Sequence, residues 1–206
     1  MPMETPEKLN LTIKPLTPEL AADYFDFFEN RAFTDASPYR CYCQVYQMTR
    51  DEAETVLAEA KERDPGRVAR EAAERQIASG ALRGYLAYAD GVAIGWCNAN
   101  DRSSYPADPA WAVPFHAPQE NREKAVVCFE IAPEYRGKGV ATALLRRVLE
   151  DARAKGYAAV VGFPVLRAER FEWDFHGPLR LYEKAGFVKA SEPDPEGRVL
   201  MRKALA

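Results

Sequence analysis

The chain has 206 residues, 28 of them Lys or Arg and 31 Asp or Glu, for a formal net charge of −3. This length supports one domain with a sizeable core. The near-balance of charge lacks the basic excess of a nucleic-acid surface, and no run approaches the ~18 apolar residues of a membrane span. The start, Met1-Pro2-Met3-Glu4-Thr5-Pro6-Glu7, is too polar for a signal peptide, so the expected compartment is the cytoplasm.

Alternation from Leu9 to Leu16 predicts a first strand. Thr17-Pro18-Glu19 supplies a capping hydroxyl, a proline for the first helical position and an acid at the positive end, so a helix is predicted from there to about Asn30. Its Tyr24, Phe27 and Phe28 read as core. Arg31 to Met48 is irregular and aromatic. Thr49-Arg50-Asp51-Glu52 is a capping box, and a helix follows to about Glu62. Asp64-Pro65-Gly66 interrupts it, and a further helix runs from Val68 to Ala78, ended by Gly80. Leu82–Tyr88 and Val92–Cys97 read as strands joined by the turn Ala89-Asp90-Gly91. Arg102 to Arg122 carries Pro106, Pro109, Pro114 and Pro118 and shows no period, which marks a long functional or mobile loop.

The apolar run Ala125-Val126-Val127-Cys128-Phe129-Glu130-Ile131 predicts a strand. The segment from Val140 predicts an amphipathic helix. Val140, Ala141, Leu144, Leu145, Val148, Leu149 and Ala152 form its apolar stripe, Arg146, Arg147, Glu150, Asp151 and Arg153 face away, and Gly156 ends it. Ala158–Phe163 is an apolar strand bounded by Pro164. Leu179–Lys184 is a short helix, and Phe187–Ala190 and Val199–Lys203 are the last strands. The sum is an α/β chain, with no internal repeat.

Cys97 and Cys128 fall in predicted strands and read as buried free thiols. Cys41-Tyr42-Cys43 is a C-x-C whose thiols share a face if the chain is extended there. A zinc site needs about four ligands, and His116 and His176 have no ligand spacing, so no metal is expected.

The most informative stretch is Arg136-Gly137-Lys138-Gly139-Val140-Ala141, between a strand and a helix. The first turn of a helix leaves backbone N–H groups unpaired and carries partial positive charge. Gly137 and Gly139 let an anion approach that backbone, and Arg136 and Lys138 add charge. The stretch has neither the spacing of a dinucleotide fingerprint nor the Lys-Ser/Thr ending of a P-loop. The pattern R-x-x-G-x-A after Ala132-Pro133-Glu134-Tyr135 resembles the acetyl-coenzyme A loop of the GNAT superfamily of N-acetyltransferases. Leu181-Tyr182-Glu183-Lys184-Ala185-Gly186-Phe187 is similar to the Y-E-K-x-G-F segment near the end of that fold. The two motifs and their strands cover about residues 84 to 203.

The resemblance implies a GNAT fold, a mixed central sheet flanked by helices on both faces. It would be a single domain over 1–206, with 1–80 giving N-terminal elements and part of the acceptor side, and 81–206 the sheet core. It implies acetyl-CoA as co-substrate, a small-molecule or protein amine as acceptor, and a monomer or homodimer. The pyrophosphate is expected on Arg136, Gly137, Lys138, Gly139, Val140, Ala141 and Thr142, chiefly through backbone N–H groups of 137 to 142. The pantetheine arm is expected on the strand backbone at Phe129, Ile131 and Ala132. Tyr182 occupies the position of the acid that protonates the departing thiolate, which a phenol with a pKa near ~10 can do; the other reading is a core tyrosine.

The base is left open. Period-two counting puts Ala125, Val127 and Phe129 on the face of Ile131, all apolar, and Glu130 on the other; Glu130 reaches the site only if a bulge shifts register. No single essential carboxylate is expected on this strand. His176, Asp174, His116 and Asp101 are further candidates. Where many relatives have Asn seven residues before the tyrosine, this chain has Phe175. Trp96, Tyr105, Trp111, Tyr39, Tyr42 and Tyr46 either line an apolar acceptor pocket or pack as core, and the loop from Arg102 lies over that pocket. The rival functions are a GNAT-fold sensor that binds acetyl-CoA without turnover and a phosphate- or nucleotide-binding regulator.

Overall fold

The computed structural model describes residues 9–35, 41–110, 115–118, 120, 122–167 and 174–205. Its strands are β1 (Leu11–Pro15), β2 (Gly84–Ala89), β3 (Val92–Asp101), β4 (Glu123–Ile131), β5 (Ala159–Gly162), β6 (Val188–Lys189) and β7 (Met201–Ala204). Its helices are α1 (Ala21–Asn30), α2 (Arg50–Glu62), α3 (Pro65–Ser79), α4 (Val140–Ala154) and α5 (Leu179–Lys184). One mixed sheet takes the order β1-β2-β3-β4-β5-β7-β6, antiparallel throughout except for the parallel pair β4–β5.

Each face of the sheet has its own core. On one side α1, α3 and the chain around Tyr46 bury Tyr24, Phe27, Phe28, Ile77, Trp96, Tyr105 and Phe115. On the other, α4 and α5 bury Val126, Phe129, Ile131, Leu144, Leu145, Val148 and Tyr182. The α4 stripe is as periodicity predicts, except that Ala143 is buried and Ala141 half-buried. Arg147 does not simply face away: its guanidinium donates to the Ile13 carbonyl (2.7 Å) and to Asp151 (2.8 Å), tying α4 to β1.

Local chemistry explains most boundaries. Thr49 and Glu52 form the reciprocal cap of α2. Asp64 and Pro65 start α3 instead of interrupting the chain before it, because the Asp64 side chain accepts from the Arg67 N–H (2.7 Å) and proline fits the first helical turn. The predicted first helix is split into a 3₁₀ turn at Pro18–Leu20 and α1. The β2–β3 hairpin turns on Asp90 and Gly91, both at positive φ (49° and 80°), the geometry that matches strand twist.

The functional departure lies in β4. Asn98 pairs with Cys128 but Ala99 with Val126, so Val127 is an extra residue, a bulge. Ala125, Val127, Cys128 and Ala132 join the α1-side core, whereas Val126, Phe129 and Ile131 join the α4-side core. A single alternation from Ala125 to Ile131 therefore fails. Glu130, between Phe129 and Ile131, points to the α1 side, the side on which Val127 and Cys128 also lie.

Candidate active site

The loop that opens α4 is shaped for an anion. Gly137 and Gly139 sit at φ 76° and 87°, where other residues are strained, and nothing lies within 4 Å of a Cβ placed on either. Gly139 is the helix N-cap and has no side-chain cap. The first intrahelical bond runs from the Ala143 N–H to the Gly139 carbonyl (3.0 Å), which leaves the N–H groups of Val140, Ala141 and Thr142 aimed out of the helix end. Gly137, Lys138, Gly139 and Thr142 are exposed. Arg136 does something else. Its guanidinium turns inward, donating to the Ile131 carbonyl (3.0 Å), to Asp35 and, at 3.4 Å, to Glu130. It fixes the base of the loop and is not presented to solvent as a phosphate ligand.

Beside the loop, β4 and β5 part. They pair only from Glu123↔Ala159 to Val126↔Gly162. Past that point Phe175–His176 takes the place of β5: the Phe129 N–H donates to the Phe175 carbonyl (2.6 Å), and His176 Nδ1 meets the Val127 carbonyl at 2.8 Å. The Ala132 N–H is committed to β3, at the Ile94 carbonyl (3.0 Å). Parity therefore turns the backbone of residues 129 and 131 away from β3, toward the wedge. Of the three residues expected to pair with a peptide-like arm, the Phe129 carbonyl and Ile131 N–H face the opening, while the N–H groups of Phe129 and Ala132 are already bonded. His176 is one of the four base candidates besides Glu130. The structure makes it a filler of the wedge, its Nδ1 protonated because a carbonyl only accepts, and burial pushes its pKa down to about 4.

Tyr182 stands over Gly162, where a Cβ would come within 2.1 Å of its ring. It is fully buried, meets Phe187 edge-on at 5.3 Å, and donates to the His176 carbonyl (2.7 Å). Burial raises its pKa well above the usual phenol value, so it carries its proton at neutral pH.

Glu130 is the unexpected member. Its side chain is 15% exposed and faces Arg136. Burial pushes its pKa up to about 7 against the pull of Arg136, with Asp35 adding to the rise. Asp35 is 101 residues from Arg136 in sequence, and no local pattern marks it. Of the other base candidates, Asp101 takes the Tyr157 hydroxyl (2.5 Å) at the far end of β3, and His116 Nδ1 meets the Tyr105 carbonyl (2.8 Å).

The aromatic residues mostly pack. Trp96 is fully buried, edge-on to Tyr24 at 5.0 Å. Tyr105 donates to Asn98 (3.1 Å), Tyr46 meets Phe115 at 5.4 Å, and Tyr42 donates to Glu29 (3.3 Å). Tyr39 and Trp111 lie outside the described residues, as do Pro114 and the stretch 168–173. The loop from Arg102 covers this α1 side through Phe115 and through the bridge Thr49↔Pro109. Cys43 has φ 53°, so Cys41 and Cys43 do not share a face: Cys43 is buried and Cys41 exposed. Cys97 and Cys128 are buried free thiols. Among the described residues no group of three or more His, Cys, Asp or Glu is arranged to hold a metal, and no helix is long and apolar enough to cross a membrane.

A strand, an open glycine loop and a helix N-terminus thus lie together beside a parted strand pair. The model of the acetyltransferase (GNAT) family matches residues 42–187, and the chain belongs to that family. No curated protein matches the sequence. Among solved structures it is similar to the GNAT-family acetyltransferase of Streptococcus pneumoniae, at 18% identity over 96% of this chain and 100% of that one, TM-score 0.53. An N-acetyltransferase from Staphylococcus aureus Mu50 gives 18% identity over 96% and 99%, TM-score 0.52. PaiA N-acetyltransferase from Thermoplasma acidophilum, in complex with coenzyme A, gives 15% over 95% and 99%, TM-score 0.52. Likeness at these identities is one of fold.

Proposed function

We propose that this acetyltransferase moves the acetyl group of acetyl-CoA to a primary amine of a small molecule or a protein, in the cytoplasm and without a metal. The observation that carries the reading is the place of Glu130: a carboxyl 15% exposed, beside Arg136 and a few residues before an open glycine loop, whose pKa burial pushes up to about 7. A general base works best when its pKa lies near the operating pH. The coenzyme supplies the acyl group as a thioester. The N–H groups of Gly137 and of residues 139 to 142 receive its pyrophosphate, that of Lys138 being given to the Tyr135 carbonyl (3.4 Å), and the Phe129 carbonyl and Ile131 N–H pair with its arm. Since α4 and the loop occupy one face, the amine approaches from the other, the face of Glu130. Glu130 accepts a proton from the ammonium. The amine attacks the thioester carbonyl, the C–N bond forms, the C–S bond breaks, and the thiolate takes a proton from Tyr182, whose hydrogen must leave the His176 carbonyl to do so. The acylated nitrogen then releases its second proton, which restores the Tyr182 phenol by way of solvent, and Glu130 gives its own proton up to solvent.

The test is coenzyme release with a panel of primary amines. Amine-dependent thiol release is expected, rising with pH through about 7 as the Glu130 carboxylate forms. Glu130→Gln should lower the rate by roughly 10²-fold, within the usual range for general-base loss, and remove that inflection. Tight acetyl-CoA binding with no amine-dependent thiol release would favour the sensor. That reading draws on the engagement of Tyr182 and the Phe129 N–H by residues 175–176.

A further inference from the structure

At the opposite end of β4 lies a cavity lined by three cationic side chains, Lys124, Arg83 and Lys155. Lys124 is 6% exposed. It has no hydrogen bond and no ion pair within 4.0 Å among the described residues, and its nearest ring contact is Tyr157 at 5.2 Å. It lines a cavity of about 280 Å³ together with Arg83, Lys155, Tyr157, Pro18 and Leu82. No Asp or Glu lines that cavity. The neighbouring 690 Å³ hollow, by contrast, mixes Asp101, Glu120 and Glu123 with its cations and selects no sign of charge.

Two of the cations near this end have ordinary work. α3 and α4 both finish here, and helix C-termini attract positive charge. Arg83 donates to the Gly80 carbonyl (2.9 Å) and Arg122 to the Lys155 carbonyl (3.1 Å). Lys124 is on a strand, caps no helix and is the buried one. Its register partner is Asp101, whose carboxylate takes the Tyr157 hydroxyl. Burial pushes the Lys124 pKa down to about 8, with Lys155 and Arg83 acting the same way and Asp101 the other. An unpaired buried ammonium is costly unless a partner arrives. Apolar walls favour an organic anion, whose carbon skeleton they can cover, over a bare, strongly hydrated ion.

We infer that this cavity binds a small organic anion, whose carboxylate or phosphate sits on Lys124 with Arg83 and Lys155 at the rim and whose carbon skeleton lies on Tyr157, Pro18 and Leu82. The site is separate from the acetyl-CoA loop, which lies at the other ends of β4 and α4.

The test is calorimetric titration of the protein at pH 8 and constant ionic strength with succinate, benzoate and inorganic phosphate. At least one probe should bind, with affinity unchanged in Gly139→Asp, and Lys124→Met should weaken it tenfold or more. Binding should also take up protons at pH 8, read from buffers of different ionisation enthalpy, because an anion restores the charge on Lys124; this uptake should vanish in Lys124→Met. Success of a carboxylate or of phosphate decides which head group is preferred. Lys155→Met and Arg83→Gln, at exposed positions, keep the test alive if Lys124→Met does not fold: each should weaken binding severalfold. Silence of all three probes, competition with acetyl-CoA, or affinity indifferent to these substitutions would overturn the inference.

Discussion

Around the end of β4, two neighbouring regions are built in different ways. The loop from Gly137 to Gly139 is continuous in sequence, exposed, and offers backbone N–H groups. The α1 side is gathered from Asp35, Glu130, Arg136 and an aromatic layer contributed by α1, β3 and the loop after it. In the function proposed above, the first region would recognise an anion with groups every residue carries, so its specificity would lie in conformation: two glycines at positive φ and a helix that starts there. The second depends on burial. It lifts one carboxyl to a useful pKa and needs the whole fold to do so. The comparison is sharpest where a substitution should move one function and spare the other.

Tyr182→Phe tests the border between them, and the largest effect in this set is expected there. Loss of a proton donor should lower kcat by about 10²-fold with coenzyme affinity nearly unchanged, since the interaction develops only as sulfur leaves. The same change orphans the buried His176 carbonyl, which should lower stability by about 1–3 kcal/mol. Denaturation together with steady-state kinetics separates the two. A stability loss with parental kcat makes Tyr182 a packing and hydrogen-bonding residue only.

Gly139→Asp acts on the loop alone. A Cβ there meets no neighbour, so sterics within the fold do not confuse the result, but φ 87° is strained for Asp and the new charge faces the phosphate. Each hydrogen bond to a charged group is worth ~1.5–3 kcal/mol, so acetyl-CoA should bind about tenfold more weakly or worse by calorimetry. Unchanged affinity with the fold intact would move the pyrophosphate elsewhere.

The same contrast explains what was legible in the sequence. Strand, glycine turn, helix and the Tyr182 segment are local patterns, and each appears where periodicity and turn chemistry place it. The bulge at Val127 is not local. It is visible only in how β4 registers against β3, and one extra residue exchanged the faces on either side of it. Counting by twos therefore gave the right parity between Phe129 and Glu130 but the wrong company for both. Arg136 reads as a phosphate ligand until Asp35 and Glu130 are seen to hold it. Phe175 signals that the usual coenzyme contact is altered, yet only the structure shows it and His176 filling the gap left by β5.

The last expected effect concerns stability, and it runs opposite to the rate. The folded-state pKa of Glu130 is raised to about 7, above the ~4.3 of an unfolded glutamate. The folded state therefore holds the proton more tightly than the unfolded state. Its contribution to stability is fully present below the unfolded pKa and is lost as pH rises through about 7. Glu130→Gln removes the titration while keeping the shape, and Arg136 retains Asp35 as its anionic partner. Relative to the parent, the variant should thus be more stable at pH 8 than at pH 5, by roughly 2–3 kcal/mol. The measurement is chemical denaturation of both proteins at the two pH values. Tyr182→Phe is the control, because its phenol stays protonated throughout and its penalty should not vary with pH. A Glu130→Gln difference that is flat from pH 5 to 8 would mean that the carboxyl is ionised in both states. The pH-dependence of turnover would then have to come from the amine alone. A variant that is slower and, only at high pH, more stable would show that the fold sustains a buried carboxylate at its own expense at the place where the reaction needs a base.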